Sequence, residues 1–145
     1  MASKLPRPQS ILFVCHLNAI RSPMAEGMMK KYFGEELRVE SCGMSPGDLD
    51  EYMVMVMKEK KIDMSDHRPK PLTQMDRESF EMVIAFTESA SEASKAHFGE
   101  NAIVETWPVA DPTIGSLDVR ALMNNYRAVR DNIESKLRRK FISKS

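Results

Sequence analysis

Five residues separate Cys15 from Arg21 in the run Val14-Cys15-His16-Leu17-Asn18-Ala19-Ile20-Arg21-Ser22-Pro23. An apolar run precedes the cysteine, and a Ser-Pro pair of the kind that starts helices follows the arginine. Between a strand and a helix, successive backbone N–H groups can converge on one oxyanion, with the positive end of the helix dipole behind them. Arg21 can grip two oxygens of that anion in a planar fork. The same field favours thiolate over thiol, so Cys15 becomes a nucleophile held beneath its electrophile. A buried structural cysteine with a surface arginine is the plain alternative. The strand before the loop and the helix start after it favour the chemical reading.

The elements that would position this loop alternate. Residues 10–15 form a continuous apolar run, the mark of a strand covered on both faces. Ser22 offers an N-cap to a helix over 24–33 that ends at Gly34. Further strands are expected at 37–42 (stopped by Gly43), 81–86 and 102–106, with helices at 49–61, 89–98 and 117–141. The last helix carries Leu122, Tyr126, Val129, Ile133 and Leu137 down one face. Strand alternating with helix predicts an α/β fold, a parallel sheet wound on both faces, whose ligands bind at the carboxyl ends of the strands. Cys15 stands at such an end. One domain over residues 1–145 is expected, with 1–9 flexible.

Lysine plus arginine and aspartate plus glutamate balance at 21 each, so no global field favours nucleic acid. The final stretch departs from this balance, with Lys136, Arg138, Arg139, Lys140 and Lys144 and no acid after Glu134. A helix C-terminus that favours cations accounts for it, and an anionic partner is the other reading. No apolar run is long enough to span a bilayer, and two cysteines cannot build a disulfide framework. A cytoplasmic, reducing address without membrane association is expected. The 12 methionines fall mostly on apolar helix faces and read as core filling. His16 and His97 lack partners at metal-ligand spacing, so neither a metal nor another cofactor is expected.

The loop followed by Arg21-Ser22-Pro23-Met24-Ala25-Glu26 resembles the signature of the low-molecular-weight protein tyrosine phosphatases, whose fold is shared by thioredoxin-coupled arsenate reductases. Val39-Glu40-Ser41, the segment from Ile62 to Arg68, and Trp107-Pro108-Val109-Ala110-Asp111-Pro112 resemble further motifs of that family, in the same order. The resemblance implies a three-layer fold with a four-stranded parallel sheet in order 2-1-3-4. It implies that Cys15 attacks phosphorus to form a phosphocysteine, and that Arg21 with the loop from His16 through Leu17, Asn18, Ala19 and Ile20 to Ser22 binds the phosphate oxygens. Asp111 would protonate the leaving oxygen and then activate water. Asn18, Ser22, Ser41 and His67 match a network that supports the loop.

Departures bear on the substrate. The family's loop glycine is Leu17 here, so either Leu17 takes an unusual backbone conformation or the loop runs differently. Ile20 stands where a second cysteine is common. If Ser41 faces the loop, strand alternation turns Cys42 away from it. Thr113 and Ile114 follow Asp111-Pro112 in place of aromatic residues. The expected function is cysteine-dependent hydrolysis of a phosphorylated protein or small aryl phosphate, with inorganic phosphate or sulfate as loop ligands. Arsenate reduction with an external thiol and simple oxyanion binding remain alternatives. Residues 75–100 contain no cysteine for an internal thiol relay.

Overall fold

The computed structural model describes residues 8–114 and 118–142. The expected flexible lead therefore lies outside the described residues for 1–7, as do Leu117 and Lys144. Four strands, β1 (Ser10–Cys15), β2 (Arg38–Gly43), β3 (Met82–Ala85) and β4 (Ile103–Thr106), alternate with helices α1 (Arg21–Phe33), α2 (Glu51–Lys58), α3 (Glu88–Phe98) and α4 (Val119–Phe141). The strands pair in parallel, as the alternating pattern predicts, in the order β2-β1-β3-β4 that the resemblance implies.

Both faces of β1 are buried, which explains its unbroken apolar sequence. Ile11, Phe13 and Cys15 face a core shared with α1, α2 and α4, where Met24, Met28, Met53, Met57, Tyr126, Ile133 and Leu137 pack. Leu12 and Val14 face a second core with Cys42, Val83, Ala90 and Phe98 on the α3 side. Nine methionines are buried (24, 28, 29, 53, 57, 64, 75, 82 and 123), which supports the core-filling reading.

Several boundaries differ from the sequence reading, and at three of them the structure shows the cause. Helix α1 begins at Arg21, its N-cap is Ile20, and no side chain caps it. Ser22 is thus already helical, and its hydroxyl is engaged by Cys15 instead of by the backbone. Helix α2 begins after Asp50, whose carboxylate accepts from the Met53 N–H at 2.9 Å, and the chain leaves the helix before Lys61, a left-handed residue at φ 63°. Strand β2 includes Gly43 rather than stopping before it.

That glycine matters to the loop. A Cβ at position 43 would lie 2.6 Å from the Asn18 nitrogen and 2.8 Å from the His16 carbonyl oxygen. Both are backbone atoms with nowhere to move, so β2 can run against the Cys15 loop only without a side chain here. Gly43→Ala is expected to destabilise the fold by about 1–3 kcal/mol, the usual cost of overpacking. An unchanged unfolding midpoint in denaturant titration would show that the two backbones are not in close contact.

Candidate active site

The loop from Cys15 to Arg21 is held from outside by its carbonyls. The N–H groups of Met44, Ser45 and Gly47 donate to the carbonyls of Cys15, His16 and Leu17 at 3.1, 2.9 and 2.9 Å. The His67 ring reaches the Asn18 carbonyl at 3.0 Å. A trans peptide puts its N–H opposite its C=O. Four outward carbonyls therefore turn the N–H groups of His16, Leu17, Asn18 and Ala19 towards the concave side. Asn18 supplies the left-handed residue of the turn, at φ 55°, while Leu17 has no positive φ. The unusual backbone considered for Leu17 does not arise. Its side chain projects outward, 43% exposed.

The Asn18 side chain organises the interior. Its Oδ1 accepts from the Lys70 N–H at 3.0 Å, which identifies the other amide atom as Nδ2. Nδ2 donates to the Ser22 and Ser41 hydroxyls at 2.9 and 3.0 Å. Each hydroxyl then has a single proton to pass on. Ser41 gives its proton to Glu26 Oε1 at 2.5 Å. Ser22 lies 2.9 Å from Cys15 Sγ, with the Cys42 carbonyl a more distant acceptor at 3.4 Å. The Ser22 hydroxyl thus has one proton and two acceptors in reach, and with Cys15 as a thiolate the nearer one, its sulfur, is the acceptor.

Glu26 was not singled out by the sequence reading. It is buried on α1, one helical turn after Ser22, and its second oxygen pairs with Lys30 at 2.6 Å. The signal available was a helical carboxylate four residues from a loop serine, a spacing that places both on one helix face. His67 closes the network. A carbonyl can only accept, so the ring nitrogen facing Asn18 is the protonated one, and Nδ1 stands 4.0 Å from Glu26. Burial pushes the His67 imidazole below its usual range, against the pull of the Asn18 carbonyl and Glu26.

Cys15, His16, Leu17, Ala19, Ile20, Arg21, Asp111 and Thr113 surround a cavity of about 60 Å³. One water needs roughly 10–15 Å³, so this space suits a tetrahedral oxyanion and leaves the rest of a substrate at the rim. Arg21 is buried, and its Nη1 donates to the Val109 carbonyl at 2.9 Å, which ties the loop to the segment carrying Asp111. Asp111 Oδ1 accepts from the Thr113 N–H at 2.9 Å and from its hydroxyl at 2.6 Å. Burial raises the Asp111 carboxyl, but the two Thr113 bonds with the charges of Arg21 and His16 outweigh it and hold the group below the usual range. Ser41 and His67 lie behind the loop, away from this lining. A larger groove of about 670 Å³ runs past Glu26 and His67 on that side and holds no cysteine.

Residues 10–144 match the family described as low molecular weight phosphotyrosine protein phosphatase. The chain belongs to that family. It is 33% identical to the protein-arginine-phosphatase of Bacillus subtilis, over 88% of this chain and 91% of that one. It is 26% identical to the glutaredoxin arsenate reductase of Synechocystis sp., over 89% of this chain and 93% of the relative. Among solved structures, a YwlE mutant from Bacillus subtilis superposes with a TM-score of 0.75 at 29% identity, covering 91% of this chain and 95% of that one.

Cys42 is set apart from the family's loop chemistry. It packs in the α3-side core while Cys15 belongs to the other, and burial, with the Cys15 charge next, pushes its thiol up to about 12. His97 donates its Nε2–H to the Met75 carbonyl at 2.7 Å and packs edge-on against Phe98. Among the described residues no group of three or more His, Cys, Asp or Glu is placed to hold a metal.

Two outcomes follow from this geometry. Asn18→Ala leaves the Lys70 N–H without its acceptor, at about 1–3 kcal/mol, and takes one of several hydrogen bonds from each of two buried hydroxyls, so a drop in stability to urea is expected. Because the folded state lowers the His67 pKa, the unfolded chain takes up that proton first on acidification. Stability is therefore expected to fall as pH drops below the ordinary histidine value of 6.5, and His67→Gln to flatten that part of the curve. An identical pH dependence in the two proteins would contradict the burial of a neutral ring.

Proposed function

We propose that the chain hydrolyses phosphate monoesters through a phosphocysteine on Cys15, acting on a phosphorylated protein or a small aryl phosphate. The observation that carries this reading is the Cys15 sulfur, 2.9 Å from the Ser22 hydroxyl, in an anion-sized cavity walled by Arg21 and the loop. In the first step the thiolate attacks phosphorus and the ester P–O bond breaks, with Asp111 giving its proton to the leaving oxygen. Arg21 and the amides hold the equatorial oxygens as charge shifts onto them. In the second, Asp111 takes a proton from a water whose oxygen attacks phosphorus, the S–P bond breaks and inorganic phosphate is released. Cys15 then departs as a thiolate with Ser22 donating to it.

Asp111 must be protonated for the first step, yet the Thr113 bonds and the charges of Arg21 and His16 favour its ionised form. A bound phosphate brings negative charge close by, which raises a carboxyl pKa and restores the acid. The balance favours turnover in mildly acidic solution. The names of the relatives widen the candidate substrates to arginine phosphate and to arsenate, a tetrahedral oxyanion of phosphate's shape. Arsenate reduction by this chain would need an external thiol, because Cys42 is buried on the opposite face of the sheet from Cys15.

The test is hydrolysis of p-nitrophenyl phosphate between about pH 5 and 7. Wild type is expected to turn over, Cys15→Ser to be inactive, and Asp111→Asn to lose about 10²- to 10⁴-fold, the usual share of general acid catalysis. An inactive wild type that reduces arsenate with glutathione or glutaredoxin would replace this reading with the reductase. Thr113→Val removes one donor to Asp111, so its carboxyl pKa rises. The alkaline limb of the rate profile is then expected to move to higher pH, and an unmoved limb would remove Asp111 as the acid.

A further inference from the structure

The cations near the chain's end converge on an aromatic residue that leads into the active site. Trp107 follows β4, packs at 6.4 Å from Phe86 and donates its indole N–H to Glu105 at 3.1 Å. Helix α4 lays Lys136, Arg139 and Lys140 beside it, and the four residues line a shallow cavity of about 250 Å³. Lys140 is neutralised by Glu105 at 2.6 Å. Lys136 and Arg139 form no ion pair with any described residue. Two uncompensated cations thus flank a half-buried indole. The helix dipole explains cations in the last turn of α4 but not their gathering around Trp107.

The position of the patch gives it a role. Trp107 opens the segment that carries Val109, bonded to Arg21, and Asp111, on the rim of the catalytic cavity. Four residues of chain reach at most about 14 Å, which bounds the separation of the Trp107 and Asp111 backbones. An extended peptide with its phosphorylated residue in the cavity would cover that separation with about four residues of its own.

We propose that Trp107, Lys136 and Arg139 form a docking site for the acidic flank of a phosphoprotein substrate. This rests on the phosphatase reading above and adds a substrate class to it. Carboxylates on the flank pair with the two free cations, and the indole supplies the apolar anchor that interfaces concentrate on tryptophan. Contacts of this exposed kind act on productive encounter and weaken with salt. A small phosphate ester never reaches them.

The experiment compares two phosphotyrosyl peptides, one with glutamates four to five residues from the phosphotyrosine and one with glutamines there. Wild type and the Lys136→Glu/Arg139→Glu double variant are assayed on both at low and high salt, with p-nitrophenyl phosphate as the reference substrate. Wild type is expected to prefer the acidic peptide by about tenfold in kcat/KM at low salt and to lose that preference at high salt. The double variant is expected to lose the preference while hydrolysing p-nitrophenyl phosphate normally. Equal rates on both peptides by an active wild type overturn the docking site and leave the phosphatase intact. Cosedimentation with phosphatidylserine vesicles that depends on Lys136 and Arg139, without peptide discrimination, overturns it in favour of a membrane contact. No turnover of any phosphate ester overturns both readings together.

Discussion

Amide protons can face an anion only if the carbonyls of the same peptides are accommodated on the other side. Around Cys15 that need is met by the backbone of residues 44–47 and by His67, which together take four consecutive carbonyls. Almost every other feature of the site depends on this tether. It brings β2 so close that position 43 must lack a side chain. It places Asn18 in a left-handed turn from which the side-chain amide reaches Ser22, Ser41 and the Lys70 backbone at once. The hydroxyl beside the Cys15 sulfur is thus fixed by the Asn18 side chain, which in turn is held by Ser41 and the Lys70 backbone.

The loop is also joined to the Asp111 segment across the cavity. In the proposed mechanism Arg21 points its fork at the anion while one nitrogen stays bonded to the Val109 carbonyl. Any movement of the Asp111 segment is therefore felt at the arginine. Thr113 holds Asp111 by two bonds to a single oxygen, which leaves the other oxygen free for a leaving group or water. With Leu17 and Ile114 exposed and no aromatic side chain following Pro112, the mouth offers little to a planar ring. Recognition would then fall to surfaces further from the phosphate.

Much of this could be read in advance, in proportion to how local its cause was. Strand β1 was legible to the residue because both of its faces are buried, so its sequence is apolar throughout. The loop was legible because a strand end, a cysteine, an arginine and a helix start follow one another along the chain. Ser22 was misread as a helix cap because its hydroxyl has a non-local partner that outcompetes the backbone. Glu26 went unassigned because its partner Ser41 lies 15 residues away and meets it only when β2 packs beside α1. Gly43 looked like a strand stop, whereas its bare backbone serves a contact that no local pattern encodes. The separation of Cys42 from Cys15 follows from strand alternation once Ser41 faces the loop, and the two cores show that separation.

The central claim is that the Cys15 sulfur carries the phosphoryl group between substrate and water. Rapid acid quench of Asp111→Asn during turnover of p-nitrophenyl phosphate, followed by mass spectrometry of the cysteine peptide, addresses it directly. One phosphoryl group is expected on Cys15, accumulating within the first turnover, and no p-nitrophenol is expected to be released by the Cys15→Ser protein. Steady turnover with an unmodified Cys15, or with phosphate on another residue, would contradict it.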